Sequence, residues 1–121
     1  MAQSVRERSR GGTLVPMETT VRKHAGPERF ELTLDGTVAG FAQFVDLDEH
    51  RILYHTEVFP EFSGQGLAAT IVDHALCETR AEGLRIVAVC PYVKKYVNTH
   101  DEWADAVDPV TPSMLRAIPR S

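Results

Sequence analysis

The chain has 121 residues, 43% of them hydrophobic and 25% charged, with a formal net charge of −4. That size suits a single domain, and the composition is ordinary for a globular protein. No apolar run approaches the roughly 18–20 residues of a membrane-spanning helix, and the acidic balance argues against nucleic acid as the main partner. Two cysteines, Cys77 and Cys90, do not make a disulfide framework, so reduced thiols in a cytoplasmic setting are expected.

Residues 1–23 carry Arg6, Arg8, Arg10, Arg22 and Lys23 against Glu7 and Glu18. No apolar stretch follows this basic start, which speaks against a signal peptide. Residues 1–16 read as a disordered, solvated basic tail and 17–108 as one domain.

From Thr19 the pattern becomes strand-like. "TTVRKHA" and "RFELTLDG" are separated by Gly26-Pro27, and Phe30, Leu32 and Leu34 alternate with Glu31 and Thr33. That period of two marks a half-buried strand. Asp35-Gly36 is a two-residue hairpin signal. "TVAGFAQFVDL" follows, then a turn at "DEH", then "RILYHTEVFP" as a fourth strand ended by Pro60. The four strands read as an antiparallel meander.

At Gly66 the period changes. Leu67, Ala68, Ile71, Val72, Ala75 and Leu76 form an apolar stripe at helical spacing, and Gly83 stands where a helix would stop. "LRIVAVC" is continuous enough to be an internal strand, ended by Pro91. "YVKKYVNTHDEWADAV" reads as two short helical pieces broken near Asn98. The proline-spaced segment 109–121 resembles no regular element. The fold class is therefore α/β: a mixed sheet in which a β-meander precedes a βαβ unit and short C-terminal helices.

The junction "FPEFSGQGLAA" spends two glycines, Gly64 and Gly66, between a strand and a helix. The first amides of a helix lack intrahelical partners and carry the positive end of its dipole. Glycines there would bare further N–H groups and make an anion site suited to phosphate. The alternative is that one glycine serves a turn and the other only packs closely. No GK[ST] follows, so this is not a P-loop, and the absence of a third glycine excludes a dinucleotide fingerprint.

Strand, "PEFSGQGLA", helix and strand together resemble the coenzyme A segment of the GNAT acyltransferase superfamily, whose loop reads Q/R-x-x-G-x-G/A. The frame falls on Glu61-Phe62-Ser63-Gly64-Gln65-Gly66. "HTEV" at 55–58, "GQGLA" at 64–68 and "CPYVKKYV" at 90–97 are similar, more narrowly, to compact YjdJ-type N-acetyltransferases. The resemblance covers about residues 27–107. It implies a sheet that splays open beside the fourth strand. The pantetheine arm of coenzyme A would lie against the backbone of Glu57, Val58 and Phe59. Its pyrophosphate would sit on the amides of Ser63, Gly64, Gln65, Gly66, Leu67 and Ala68. It further implies acetyl-CoA as cosubstrate, no metal, and an amine acceptor: a protein lysine, a polyamine or a small amine.

Two positions depart from the pattern. Glu61 replaces the usual Gln or Arg and is expected to point outward. The tyrosine that many larger relatives use as general acid has no clean match, although Tyr92 and Tyr96 are near in sequence.

Two side chains suit the chemistry. An imidazole on the fourth strand, His55, has the right range for a base at neutral pH. Cys90 ends the fifth strand and could be a nucleophile if local positive charge, such as Lys94 or Lys95, favoured its thiolate. Structural roles compete with both, a buried small hydrophobe for Cys90 and a hydrogen-bonded histidine for His55. His74 and Cys77 are an isolated i, i+3 pair without the second pair that a zinc site needs. The lysines of "YVKKYV" fit a solvated amphipathic helix better than nucleic-acid contact. The leading expectation is acetyl transfer to a primary amine by direct attack in a ternary complex, with an acetyl-Cys90 route as the minor version. The rivals are a coenzyme A-binding module without transfer, acting as sensor or interaction subunit, and an interaction domain whose glycines are purely structural.

Overall fold

The computed structural model describes residues 19–25 and 28–119. The basic segment 1–16 and the Gly26-Pro27 turn therefore lie outside the described residues. Five strands form one sheet in the order β1-β2-β3-β4-β5. They are β1 (Thr19–Ala25), β2 (Glu28–Leu34), β3 (Thr37–Leu47), β4 (His50–Val58) and β5 (Arg85–Ala88). The first four pair antiparallel as a meander. Helix α1 (Leu67–Ala81) then carries the chain over to β5, which joins β4 in parallel. Helix α2 (Pro91–Thr99), a 3-10 segment (Asp101–Ala106) and helix α3 (Pro112–Ala117) complete the fold.

Local chemistry explains the joints. Asp35 and Gly36 both adopt positive φ (51° and 86°), as a tight primed hairpin turn requires. Gly83, at φ 76°, follows the last residues of α1, and the Gly83 N–H donates to the Arg80 carbonyl at 3.0 Å. Pro91 opens α2, and the chain breaks at His100 (φ −127°) before the 3-10 segment.

The core lies between the sheet and the α1/α2 layer. Leu67, Ile71, Val72, Ala75 and Leu76 are buried against Phe30, Leu32, Ala42, Phe44 and Leu53, and Val93 and Val97 of α2 join them. Each of the Val, Leu, Ile and Phe side chains among them contributes about 1.5–3 kcal/mol by leaving water, so this stripe holds α1 to the sheet. Arg51 enters the same layer. It is 1% exposed, lies 4.6 Å from the Phe44 ring centroid, and grips Asp46 (2.8 and 2.9 Å) and Glu82 (3.0 and 3.2 Å).

Segment 109–121 corrects the sequence reading. Residues Pro112–Ala117 are helical, and Met114 packs with Ile52 and Val87 on the face of the sheet opposite α1. The signals were present: Met114 N–H donates to the Thr111 side chain at 3.3 Å, and Pro112 occupies the first turn. The proline spacing reads as an irregular segment, yet Pro112 sits in the first turn of a short helix.

Candidate active site

The pairing of β4 changes character halfway along. His50, Arg51, Ile52 and Leu53 pair with Arg85, Ile86, Val87 and Ala88 of β5. The N–H groups of Val89 and Cys90 then both donate to the Leu53 carbonyl, at 3.0 and 2.9 Å. Beyond that point, among the described residues, no strand follows β4 on this side. The β3 register steps from Phe44↔Leu53 to Gln43↔His55, leaving Tyr54 as an extra residue. Such a bulge bends its strand and re-aims the side chains that follow.

Alternation fixes which main-chain groups of β4 face the opening. Phe59 N–H donates to the Ala39 carbonyl at 2.9 Å, and Glu57 and His55 lie opposite Phe41 and Gln43. The main-chain groups of Phe59, Glu57 and His55 therefore point toward β3, and those of Thr56 and Val58 point away from it. Of the three residues expected to line the opening, only Val58 does so with its backbone. Thr56 joins it. Sequence reasoning missed Thr56, although the two-residue period would have found it once the bulge was known.

The loop after β4 begins with a 3-10 turn, Pro60–Phe62, in which Ser63 N–H donates to the Pro60 carbonyl at 3.2 Å. Ser63 thus spends its amide within the turn, which removes it from the expected cradle. The next six N–H groups, Gly64 to Ala69, meet no main-chain carbonyl among the described residues; the first helical bond runs from Thr70 N–H to Gly66 O at 3.4 Å. Gly64 and Gly66 have φ of 83° and 72°, and a Cβ built on either meets nothing within 4 Å. Close packing therefore does not explain Gly66. Helix α1 has no side-chain cap and no acidic residue in its first turn. Glu61 is exposed, in accord with an outward position. The local field thus favours an anion.

His55 and Cys90, the two candidate catalytic side chains, occupy opposite faces of the sheet. Cys90 is 4% exposed and belongs to the core beneath α1. Its thiol donates to Thr56 Oγ1 at 3.5 Å, bridging the strands where they part. His55 lies on the other face, 49% exposed, with Nε2 3.2 Å from Glu57 Oε1 and its ring 6.0 Å from Phe41. The two are no catalytic dyad. Arg29 covers the Phe41 ring at 4.6 Å and pairs with Glu31 on that same open face.

The tyrosines are placed unequally. Tyr92 is exposed. Tyr96 donates its hydroxyl to Asp73 of α1 at 3.2 Å and stacks on His100 with centroids 4.0 Å apart. Burial and the Asp73 charge push its pKa up to about 12. Its proton is held by α1. Partial burial and Asp73 also raise the Cys77 thiol, which makes it a poor nucleophile. Among the described residues no group of His, Cys, Asp and Glu is arranged to hold a metal ion.

Comparison with known proteins agrees with this architecture. A search of curated proteins finds no match. A ribosomal-protein-S18-alanine N-acetyltransferase from Escherichia coli is 27% identical over 48% of this chain and 38% of its own, with a TM-score of 0.46. A GCN5-like protein from Staphylococcus aureus is 18% identical over 77% of this chain and 91% of its own, with a TM-score of 0.58. A ribosomal-protein-alanine N-acetyltransferase from Brucella melitensis is 20% identical over 69% of this chain and 63% of its own, with a TM-score of 0.50. The chain spans less than two thirds of the two ribosomal-protein acetyltransferases. The family model described as GCN5-related N-acetyl-transferase matches residues 29–106, from β2 to the 3-10 segment. With that match over more than half its length, this chain belongs to the GCN5-related N-acetyltransferase family.

Proposed function

We propose that the chain is an acetyl-CoA-dependent N-acetyltransferase that moves an acetyl group to a primary amine by direct attack in a ternary complex. The observation that carries the reading is the run of six main-chain N–H groups, Gly64 to Ala69, left without carbonyl partners among the described residues. They surround two glycines whose missing side chains leave open space. A diphosphate satisfies several such donors at once and complements the α1 dipole.

Bound acetyl-CoA would supply the acetyl group as a thioester: the carbon–sulfur bond would break as the amine–carbonyl bond forms, and coenzyme A would leave as its thiolate, protonated by solvent in the open cleft. The chain's own residues would do the rest. The amides of Gly64, Gln65, Gly66, Leu67 and Ala68 would hold the diphosphate, and the outward main-chain groups of Thr56 and Val58 would align the pantetheine arm. His55 would take the proton of the attacking amine, its imidazole oriented by Glu57. Cys90, buried against Thr56, would shape the pocket without bonding to the acetyl group. The exposed position of His55 leaves room for an amine on a lysine side chain, a polyamine or a small molecule. The narrower likeness to compact YjdJ-type enzymes and a cytoplasmic setting belong to the same reading.

A second reading keeps the cofactor and drops the transfer: a coenzyme A-binding module serving as sensor or interaction subunit. It is favoured by Tyr96, whose hydroxyl is committed to Asp73 and so is not offered to a departing thiolate. One experiment separates the two. The full chain is incubated with isotopically labelled acetyl-CoA and a panel of lysine peptides, polyamines and small amines, and products are read by mass spectrometry. Catalytic formation of an acetylated amine supports the enzyme. Saturable coenzyme A binding with no product above the uncatalysed background would leave only the binding module.

A further inference from the structure

We infer that the Ala39–Gly40 corner of β3 is a positioning device for the cofactor-facing edge of β4, an inference that rests on the coenzyme A reading above. Gly40 does not owe its identity to a left-handed backbone, because the glycines at positive φ are Gly36, Gly64, Gly66 and Gly83. It is there for space. A Cβ at Gly40 would stand 2.6 Å from the Glu57 carbonyl oxygen and 3.1 Å from both Val58 Cα and Ile71 Cδ1. A backbone oxygen at 2.6 Å cannot swing aside as a flexible side chain would.

Gly40 faces Val58 across the β3–β4 ladder at a position where the two strands exchange no hydrogen bond and so approach most closely. Ala39 is the extra residue of a bulge, since β2 pairs Leu32 with Gly40 and Thr33 with Val38. The Ala39 carbonyl faces β4, in step with Phe41 and Gln43, and accepts the Phe59 N–H at 2.9 Å. From β3, the Phe41–Glu57 pair, the close approach of Gly40 to Val58 and the Ala39–Phe59 hydrogen bond therefore grip residues 57–59, while among the described residues no strand grips them from the other side. Within the sheet, the height of the Val58 edge in the opening is set from the β3 side, while the Val58 side chain packs against the core beneath α1. A methyl group at position 40 would push Glu57 and Val58 away from β3, into the space assigned to the pantetheine arm.

The test is calorimetric titration of the full chain with coenzyme A, with folding of each variant checked by circular dichroism and thermal melting. Gly40→Ala should weaken coenzyme A at least tenfold. Gly36→Ala, at a distant hairpin, controls for destabilisation and should bind as the wild type does. Phe59→Pro breaks the Ala39–Phe59 contact: φ −67° at Phe59 suits proline, but the ring removes the N–H and sets its Cδ against the Ala39 carbonyl oxygen. It removes the N–H that Phe59→Ala retains, so Phe59→Pro should bind at least fivefold more weakly than Phe59→Ala. This pair decides the matter if Gly40→Ala fails to fold. The inference is overturned if folded Gly40→Ala binds within twofold of wild type, or if Phe59→Pro matches Phe59→Ala. It is also overturned if adding Ile71→Val to Gly40→Ala restores affinity, since the defect would then be crowding against α1. A wild-type chain with no saturable coenzyme A binding overturns the cofactor reading itself, and this inference with it.

Discussion

The two halves of β4 have the same backbone and opposite duties. From His50 to Leu53 the strand is paired on both sides, and Arg51, Ile52 and Leu53 are buried. From Tyr54 to Val58 it is paired on one side only, and no residue is fully buried. The bulge at Tyr54 marks the boundary. Below it, side chains and main chain are spent on the fold. Above it, the main-chain groups of Thr56 and Val58 and the side chains of His55 and Glu57 remain available. A strand that leaves hydrogen-bonding groups unmade needs its other half over-determined, and Arg51 is the clearest sign of that.

The largest expected effect breaks the locked half. Arg51→Ala removes a partner of Asp46 and Glu82, but each is about one-third exposed and Glu82 stays paired to Lys23. The cost is therefore mainly the emptied buried volume beside Phe44, about 2–5 kcal/mol on the scale of large-to-alanine core changes. Urea denaturation would measure the loss. Coenzyme A affinity of whatever fraction stays folded should be unchanged, because Arg51 lies on the other side of the bulge.

Acid takes the same region apart gradually. Glu82, ordinarily near 4.5, is lowered to about 2 by hydrogen bonds from Arg51 and Lys23. Asp108, ordinarily near 3.8, is lowered to about 2 by hydrogen bonds from Arg85 and His50. A depressed carboxyl stabilises the fold above its unfolded pKa, and the contribution is lost as pH falls through the folded value. Stability should therefore decline between about pH 4.5 and 2 with these groups. In Arg51→Ala the Glu82 share of that decline should shrink, which denaturation at stepped pH would reveal.

The free half is probed by smaller changes. Gly66→Ala puts a methyl group into the open cradle and should weaken coenzyme A about tenfold by calorimetry. Its cost in stability should be only about 1 kcal/mol, from the left-handed backbone. Cys90→Ala is the smallest perturbation. If Cys90 only lines the pocket, steady-state turnover should fall within about threefold. A loss of several orders of magnitude, together with an acetyl-Cys90 adduct that discharges to amine as fast as turnover, would install the covalent route instead.

How far the fold could be read in advance follows the same division. The locked parts announce themselves through periodicity: Phe30, Leu32 and Leu34 at a spacing of two, and Leu67, Ile71, Val72, Ala75 and Leu76 at helical spacing. The glycine loop was legible as well, because two glycines at a helix entrance have a physical meaning before any fold is known. The remainder depended on long-range geometry. Nothing local to Tyr54 says that it is a bulge, and without the bulge His55 and Cys90 look like neighbours rather than residues on opposite faces. The engagement of the Ser63 amide with Pro60 and of Tyr96 with Asp73 likewise needs coordinates. Helix α3 was a failure of another kind, since Thr111-Pro112 is a readable start that the surrounding prolines obscured.

The most direct test of the central claim is an amide-resolved NMR titration of the full chain with coenzyme A. The predicted result is saturable shifts confined to the N–H groups of Gly64 to Ala69 and of Thr56 and Val58, with those of His50 to Leu53 unmoved. Binding that left the Gly64–Ala69 amides unshifted would contradict it.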